Sequence, residues 1–228
     1  MSQVFDSYRS SYENVVQDSI AFSGLKHDFF LEAKIIQLKT LFERHFGAGK
    51  PALLDIGCGV GRMHPLLAPL CASLSGTDLS TESLERARLD NPDVAYRTQV
   101  AGSLDWPEAG FDATLAVCVL HHVPVVDRAG FLAEMARVTR PGGLAIIIEH
   151  NPFNPLTRLA VARCPFDHDA VLLRHGEAAD RLAAAGLHRI ESRHFLIAPT
   201  LASPVRRIER LFEYLPLGAQ YISHGVVQ

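Results

Sequence analysis

From Pro51 onward, short apolar runs alternate with stretches whose apolar residues recur every three or four positions. The first kind predicts strands and the second amphipathic helices. "ALLDIG", "SLSGTDL", "VAYRTQ", "FDATLAVCVL" and "LAIIIEH" read as five strands in order, and "LHRIESRHFLI" as a sixth. The near-continuous apolar run in the fourth predicts burial on both faces. Helices are expected over 60–70 with Pro65 near the first turn, over 81–89, over 129–139 and over 177–185. Phe131, Leu132, Met135 and Val138 line one side of the third of these, which Pro141-Gly142-Gly143 ends, and Gly186 ends the fourth. From Ser203 the pattern gives a further helix and a last strand, "AQYISHGVV".

This alternation predicts an α/β fold, a parallel sheet with helices on both faces joined by right-handed crossovers. Two pieces fall outside it. Residues 1–50 are helical before any strand, with "HDFFLEAKIIQLKTLFERHF" one long amphipathic segment, and form an N-terminal helical cap on the 51–228 core. Residues 151–175 carry three prolines after the fifth strand and are too long for an ordinary connection. They are expected to act as a lid or substrate insertion.

Composition narrows the partners. The 228 residues are 48% hydrophobic and 21% charged, with a formal net charge of −3, so no basic face for nucleic acid or an anionic membrane is expected. Cys58, Cys71, Cys118 and Cys164 have no CxxC spacing and read as reduced thiols. The N-terminus shows no signal-peptide pattern, and no apolar run approaches the roughly 20 residues of a membrane span. The expectation is a cytoplasmic protein; a homodimer stays open.

Candidate chemistry begins at "LLDIGCGVGR". Gly57, Gly59 and Gly61 follow the first strand, where glycines tolerate positive φ and let a ligand approach the backbone. A dinucleotide turn requires glycine where Arg62 stands, and a P-loop requires Gly-Lys-Ser/Thr. Asp55 suits a cationic ligand better than a polyphosphate. Asp78 ends the second strand in "GTDLS", where a carboxylate can accept both hydroxyls of a ribose.

These motifs resemble the class I S-adenosylmethionine-dependent methyltransferases, closest to the type 11 branch of quinone, sugar and polyketide enzymes. "LLDIGCGVGR", "GTDLS", "FDATLAVCVLHHVP" and "RVTRPGGLAIIIEH" match four family motifs in order, covering about residues 51–150. The resemblance implies a Rossmann-like, doubly wound, seven-stranded sheet with an antiparallel last strand, and S-adenosyl-L-methionine as cofactor. It implies that Asp55, Gly57, Cys58 and Gly59 line the methionine part, that Gly61 allows close helix packing, and that Asp78 holds the ribose with Leu79 against adenine. Cys118 would contact the amino end of the cofactor through its backbone. Many relatives carry an aspartate after the third strand; Val100 stands there, which leaves Ser103, nearby backbone or packing to hold adenine.

If the acceptor is a hydroxyl, a base must take its proton, and His121 and His122 follow the fourth strand. Either could be that base or could position the substrate. His150 and Asn151 close the fifth strand, Tyr8, Tyr12 and His27 lie in the cap, and His168 lies on the insertion; all six are candidates to shape the substrate site. The eleven histidines show no HxxxH spacing, and no metal site is expected. The leading reading is methyl transfer to a small molecule, first to a hydroxyl oxygen, with carbon or nitrogen acceptors as alternatives. A nicotinamide-linked oxidoreductase and a non-catalytic cofactor-binding subunit are the readings from other classes. No (D/N)PPY motif follows the fourth strand, which argues against nucleobase methylation.

Overall fold

The computed structural model describes residues 12–100 and 102–228. Seven strands form one sheet: β1 (Ala52–Ile56), β2 (Ser73–Asp78), β3 (Ala95–Thr98), β4 (Phe111–Val117), β5 (Thr139–His150), β6 (Leu187–Phe195) and β7 (Gln220–Val227). Their order is β3-β2-β1-β4-β5-β7-β6. The first five pair in parallel, and β7 runs antiparallel between β5 and β6. The doubly wound sheet with its antiparallel last strand is therefore as the motifs implied. The strand order reverses between β1 and β4, which opens a crevice at their carboxyl ends.

Alternate residues of each central strand serve opposite faces. Leu53, Leu115, Ile146 and Ile148 join one buried cluster, while Leu54, Ile56, Ala116 and Ile147 join the other. Both faces are covered, so these strands read as continuous apolar runs. Each such side chain contributes about 1.5–3 kcal/mol on burial. The helices α1 (Tyr12–Ile20) and α2 (His27–Phe46) precede the sheet. Leu31, Leu38, Leu41 and Phe42 of α2 belong to the first cluster, so α2 is part of the sheet's own core. On the opposite face, α5 (Arg128–Val138) and α7 (His175–Ala184) supply Leu132, Met135 and Leu182.

The helix expected over 60–70 is much shorter. Only α3 (His64–Leu67) and a 3-10 turn over Ala68–Leu70 form. Gly59 and Gly61 both take positive φ, +54° and +69°, which keeps the chain out of helix until Pro65 fixes the first turn. α4 (Thr81–Asp90) is capped by the Ser80 hydroxyl, which accepts from the Ser83 N–H. Strand β5 begins at Thr139, five residues before the apolar run. The stretch 151–175 is not a bare loop: it holds α6 (Pro155–Arg163), capped by Asn154, and a 3-10 turn over Pro165–Asp167. α6 packs on α1. The last helix, α8 (Ser203–Glu209), precedes β7. No helix among the described residues is long and apolar enough to cross a membrane.

Candidate active site

A cavity of about 1060 Å³ lies over the carboxyl ends of β1, β2, β4 and β5. The glycine turn forms its floor, and hydrogen bonds to β2 fix that turn. The Gly57 and Cys58 N–H groups both donate to the Thr77 carbonyl, at 2.7 and 3.1 Å. The Gly59 N–H donates to Asp78 Oδ2 at 2.8 Å, and the Gly61 N–H to the Cys58 carbonyl. The amides that would cradle a pyrophosphate are thus already bonded within the protein. A nicotinamide dinucleotide would find no anion-binding edge along these residues.

The glycines differ in what they face. A Cβ on Gly57 would lie 2.5 Å from Val119 Cγ2, and one on Gly61 would lie 2.9 Å from both His64 Nδ1 and the Tyr96 hydroxyl. A Cβ on Gly59 would meet nothing within 4 Å, because it would point into the cavity. Two carboxylates border that space. Asp78 Oδ1 accepts from the Ser80 N–H at 2.9 Å, and the Leu79 amide also bonds this carboxylate. Burial pushes the Asp78 pKa up, while the Ser80, Gly59 and Leu79 amides pull it back. Asp55 is buried and bonds His64 Nε2 at 3.1 Å, and His64 Nδ1 meets the Tyr96 hydroxyl at 2.6 Å.

At the other end, β4 stops at Cys118, whose φ of +57° turns the chain sharply. Burial pushes the Cys118 thiol up, so it stays protonated at neutral pH. His121 is buried, with Nδ1 2.5 Å from Glu149 Oε2 and Nε2 3.4 Å from Asp167 Oδ1. Burial alone would lower its pKa; the two carboxylates reverse that and hold it well above the usual histidine range. His122 Nε2 lies 3.3 Å from the same Asp167 oxygen. His150 packs its ring beside His121 at 5.4 Å, and burial lowers its pKa to about 4.

The cavity collects Asp55, Gly57, Cys58, Gly59, Asp78, Leu79, Cys118, His121, His122, His27 and His150 in its walls. It does not collect Gly61, Ser103, Asn151 or His168. Gly61 lies beneath the turn against His64 and Tyr96. Ser103 is exposed after β3, and its N–H donates to the Val100 carbonyl. Asn151 is buried, its amide donating to the Pro216 and Gly218 carbonyls, so it anchors the β7 approach. The His168 side chain is 89% exposed beside Asp169. Tyr8 lies outside the described residues, and of Tyr12 only its place at the start of α1 is described.

Among the polar lining residues, Lys34, Gln99, Gln220 and Asp167 escaped the sequence reading. Lys34 is buried on α2, with no ion pair among the described residues. Gln99, one turn before Ser103, and Gln220, on β7, each bury a side-chain Oε1 without a partner among the described residues. Lys34 had a signal: it occupies the stripe Leu31, Lys34, Leu38, Leu41, where an apolar residue is expected.

A methyltransferase-domain family profile matches residues 54–147. A ubiquinone biosynthesis O-methyltransferase of a Chelativorans species is 30% identical over 69% of this chain and 70% of that protein. The chain belongs to the S-adenosylmethionine-dependent methyltransferases, class I, type 11 branch. A 2-methyl-6-phytyl-1,4-hydroquinone methyltransferase of Synechocystis is 34% identical over 43% of this chain and 32% of that protein. In fold, the chain is similar throughout to an S-adenosylmethionine-dependent methyltransferase from Thermotoga maritima, with a TM-score of 0.75, 20% identity and complete coverage of both chains.

The cofactor of this methyltransferase family is S-adenosyl-L-methionine, a sulfonium with a ribose, an adenine amino group and a carboxylate. The residues present fit each part. Gly59 leaves a cradle that a Cβ would fill, and Asp78 lines the cavity beside it. The buried Gln99 Oε1 lacks a donor, and the buried Lys34 ammonium lacks an anion among the described residues.

Proposed function

We propose that this methyltransferase acts on a hydroxyl oxygen of a small, largely apolar acceptor. The observation that carries the reading is the placement of His122 and Asp167 in the wall of the same cavity that the glycine turn floors. The ubiquinone biosynthesis O-methyltransferase among the relatives supports it.

In this reading Asp78 accepts the ribose hydroxyls, Leu79 packs on adenine, and Gln99 Oε1 accepts the adenine amino group in place of the family's aspartate. Lys34 pairs with the cofactor carboxylate, and Asp55 with the glycine turn lines the methionine arm. Gln220 Oε1 and the Cys118 backbone face the amino end. When bound, the cofactor supplies an electrophilic methyl carbon for an in-line displacement. His122 takes the acceptor proton, and His121, fixed by Glu149, positions the acceptor. His27 and His150 shape the acceptor pocket. Within residues 1–50, α1 acts as a cap, and 151–175 acts as a lid. Val16 and Ile20 of α1 and Leu156 and Val161 of α6, two helices in contact, line the cavity and give the acceptor an apolar wall.

Turnover with deuteromethyl-labelled cofactor against a panel of phenols, catechols, amines and activated carbon acids tests this. Labelled methyl ethers are expected, with His122→Ala slowing their formation more than it weakens cofactor binding. Label found only on nitrogen or carbon would overturn the hydroxyl reading.

A further inference from the structure

Around His121 three chain segments converge that are far apart in sequence: the turn after β4, the last residue of β5, and the 3-10 turn of the insertion. They bring one ligand atom each of His121, His150 and Asp167 within 4.8 Å of one another. The contact between Glu149 and His121 Nδ1 commits that nitrogen, while the other Glu149 oxygen accepts from the Leu120 N–H at 2.7 Å. This braces the imidazole and aims Nε2 at Asp167. A carboxylate behind a histidine, fixing its tautomer and direction, is the usual second layer of a metal site.

The spacing points the same way. His121 Nε2 stands 3.4 Å from Asp167 Oδ1. That is longer than an ordinary N–H···O bond of about 2.7–3.2 Å. It matches the edge of a tetrahedron, roughly 3.3–3.4 Å, around an ion with bonds of about 2.0–2.1 Å. No hydrogen bond to the His150 ring is found among the described residues.

We infer that His121 Nε2, a ring nitrogen of His150 and an oxygen of Asp167 bind a divalent transition-metal ion of the zinc class. Two imidazoles and one carboxylate favour such borderline ions over magnesium or calcium, which prefer oxygen ligands. Three protein ligands leave a fourth position, and all three residues line the cavity, so that position opens toward the acceptor. On binding, the ion replaces the His121 Nε2 proton, which leaves to solvent. An acceptor hydroxyl in the open position is acidified by the ion, and its proton passes to His122. Only this last use rests on the proposed O-methyl transfer; ion binding stands apart from it.

The test uses the full chain, stripped with chelator and titrated with Co²⁺ as a visible probe, then with Zn²⁺ by calorimetry. One ion per chain is expected, with the absorption bands of a low-coordinate Co²⁺ site. His150→Ala and Asp167→Asn should each weaken binding at least tenfold, and Glu149→Gln about ten- to a hundredfold. His45→Ala, in the last turn of α2, should leave ion binding unchanged. Circular dichroism and S-adenosylhomocysteine binding report whether each variant is folded. Folded protein without Co²⁺ bands, or bands indifferent to His150→Ala and Asp167→Asn, would overturn the inference. Ion binding without any methyl ether product would sink the hydroxyl reading and leave the site standing.

Discussion

Gly59 and Asp78 are joined across the floor of the crevice: the glycine N–H donates to Asp78 Oδ2 at 2.8 Å. One carboxylate therefore both ties the glycine turn to β2 and lines the cavity. Asp78→Ala removes both roles. Calorimetry with S-adenosylhomocysteine should show binding weakened by about 1–3 kcal/mol, the range for a hydrogen-bonded charged group. Unchanged affinity would take Asp78 out of the site.

Two glycines of one turn should fail differently. Gly59→Val sends its branches into open cavity and should abolish nucleoside binding, with only the modest loss of stability that a strained φ brings, about 1–3 kcal/mol. Gly57→Val drives its side chain into Val119 and should lower the melting temperature more than Gly59→Val does. Thermal unfolding of both variants beside a binding titration separates the cases. Equal melting losses would mean that the two positions are not facing opposite ways.

Lys34 is a buried cation whose proposed partner is the cofactor carboxylate. Lys34→Met keeps the length and apolar stem but removes the charge. Affinity for S-adenosylhomocysteine should fall by about 1.5–3 kcal/mol, while the unliganded protein becomes no less stable, because an unpaired buried charge has been removed. A variant that binds normally yet melts lower would assign Lys34 to the fold instead.

Away from the site, Glu191 clamps α2 to β6. Its Oε2 accepts from Arg44 Nη2 at 2.6 Å, and Arg193 pairs with its other oxygen. Burial alone would raise its pKa, but the two guanidinium groups lower it to about 2. Its unfolded value is near 4.3, so its contribution is complete above that pH and is lost as pH falls toward about 2. The melting temperature of wild type minus that of Glu191→Gln should be constant from about pH 5 upward and shrink below. His224 Nε2 lies 3.4 Å from Glu191 Oε2, and Glu191 raises a His224 pKa that burial lowers to about 4, so the difference reads the clamp together with its coupling to His224. A gap independent of pH would refute the clamp.

The sheet and the glycine floor were legible because their causes are local. Apolar runs, turn glycines and a strand-end aspartate act over a few residues, and Asp55 of β1, Gly59 and Asp78 line the cavity. The short α3 was missed because two positive-φ glycines override an apolar spacing that otherwise suits a helix. Lys34, Gln99, Gln220 and Asp167 reach the cavity only through the packing of α2, β3, β7 and the insertion, which sequence spacing does not encode. Asn151 failed in the opposite direction. It sits beside His150 in sequence, yet strand alternation turns it away to hold the carbonyls of Pro216 and Gly218.

A crystal grown with excess S-adenosylhomocysteine measures the central claim most directly. The account predicts the ribose on Asp78, the sulfur above Gly59, the adenine amino group at Gln99 and the carboxylate at Lys34. Density for the nucleoside elsewhere, with the space over Gly59 empty, would contradict it.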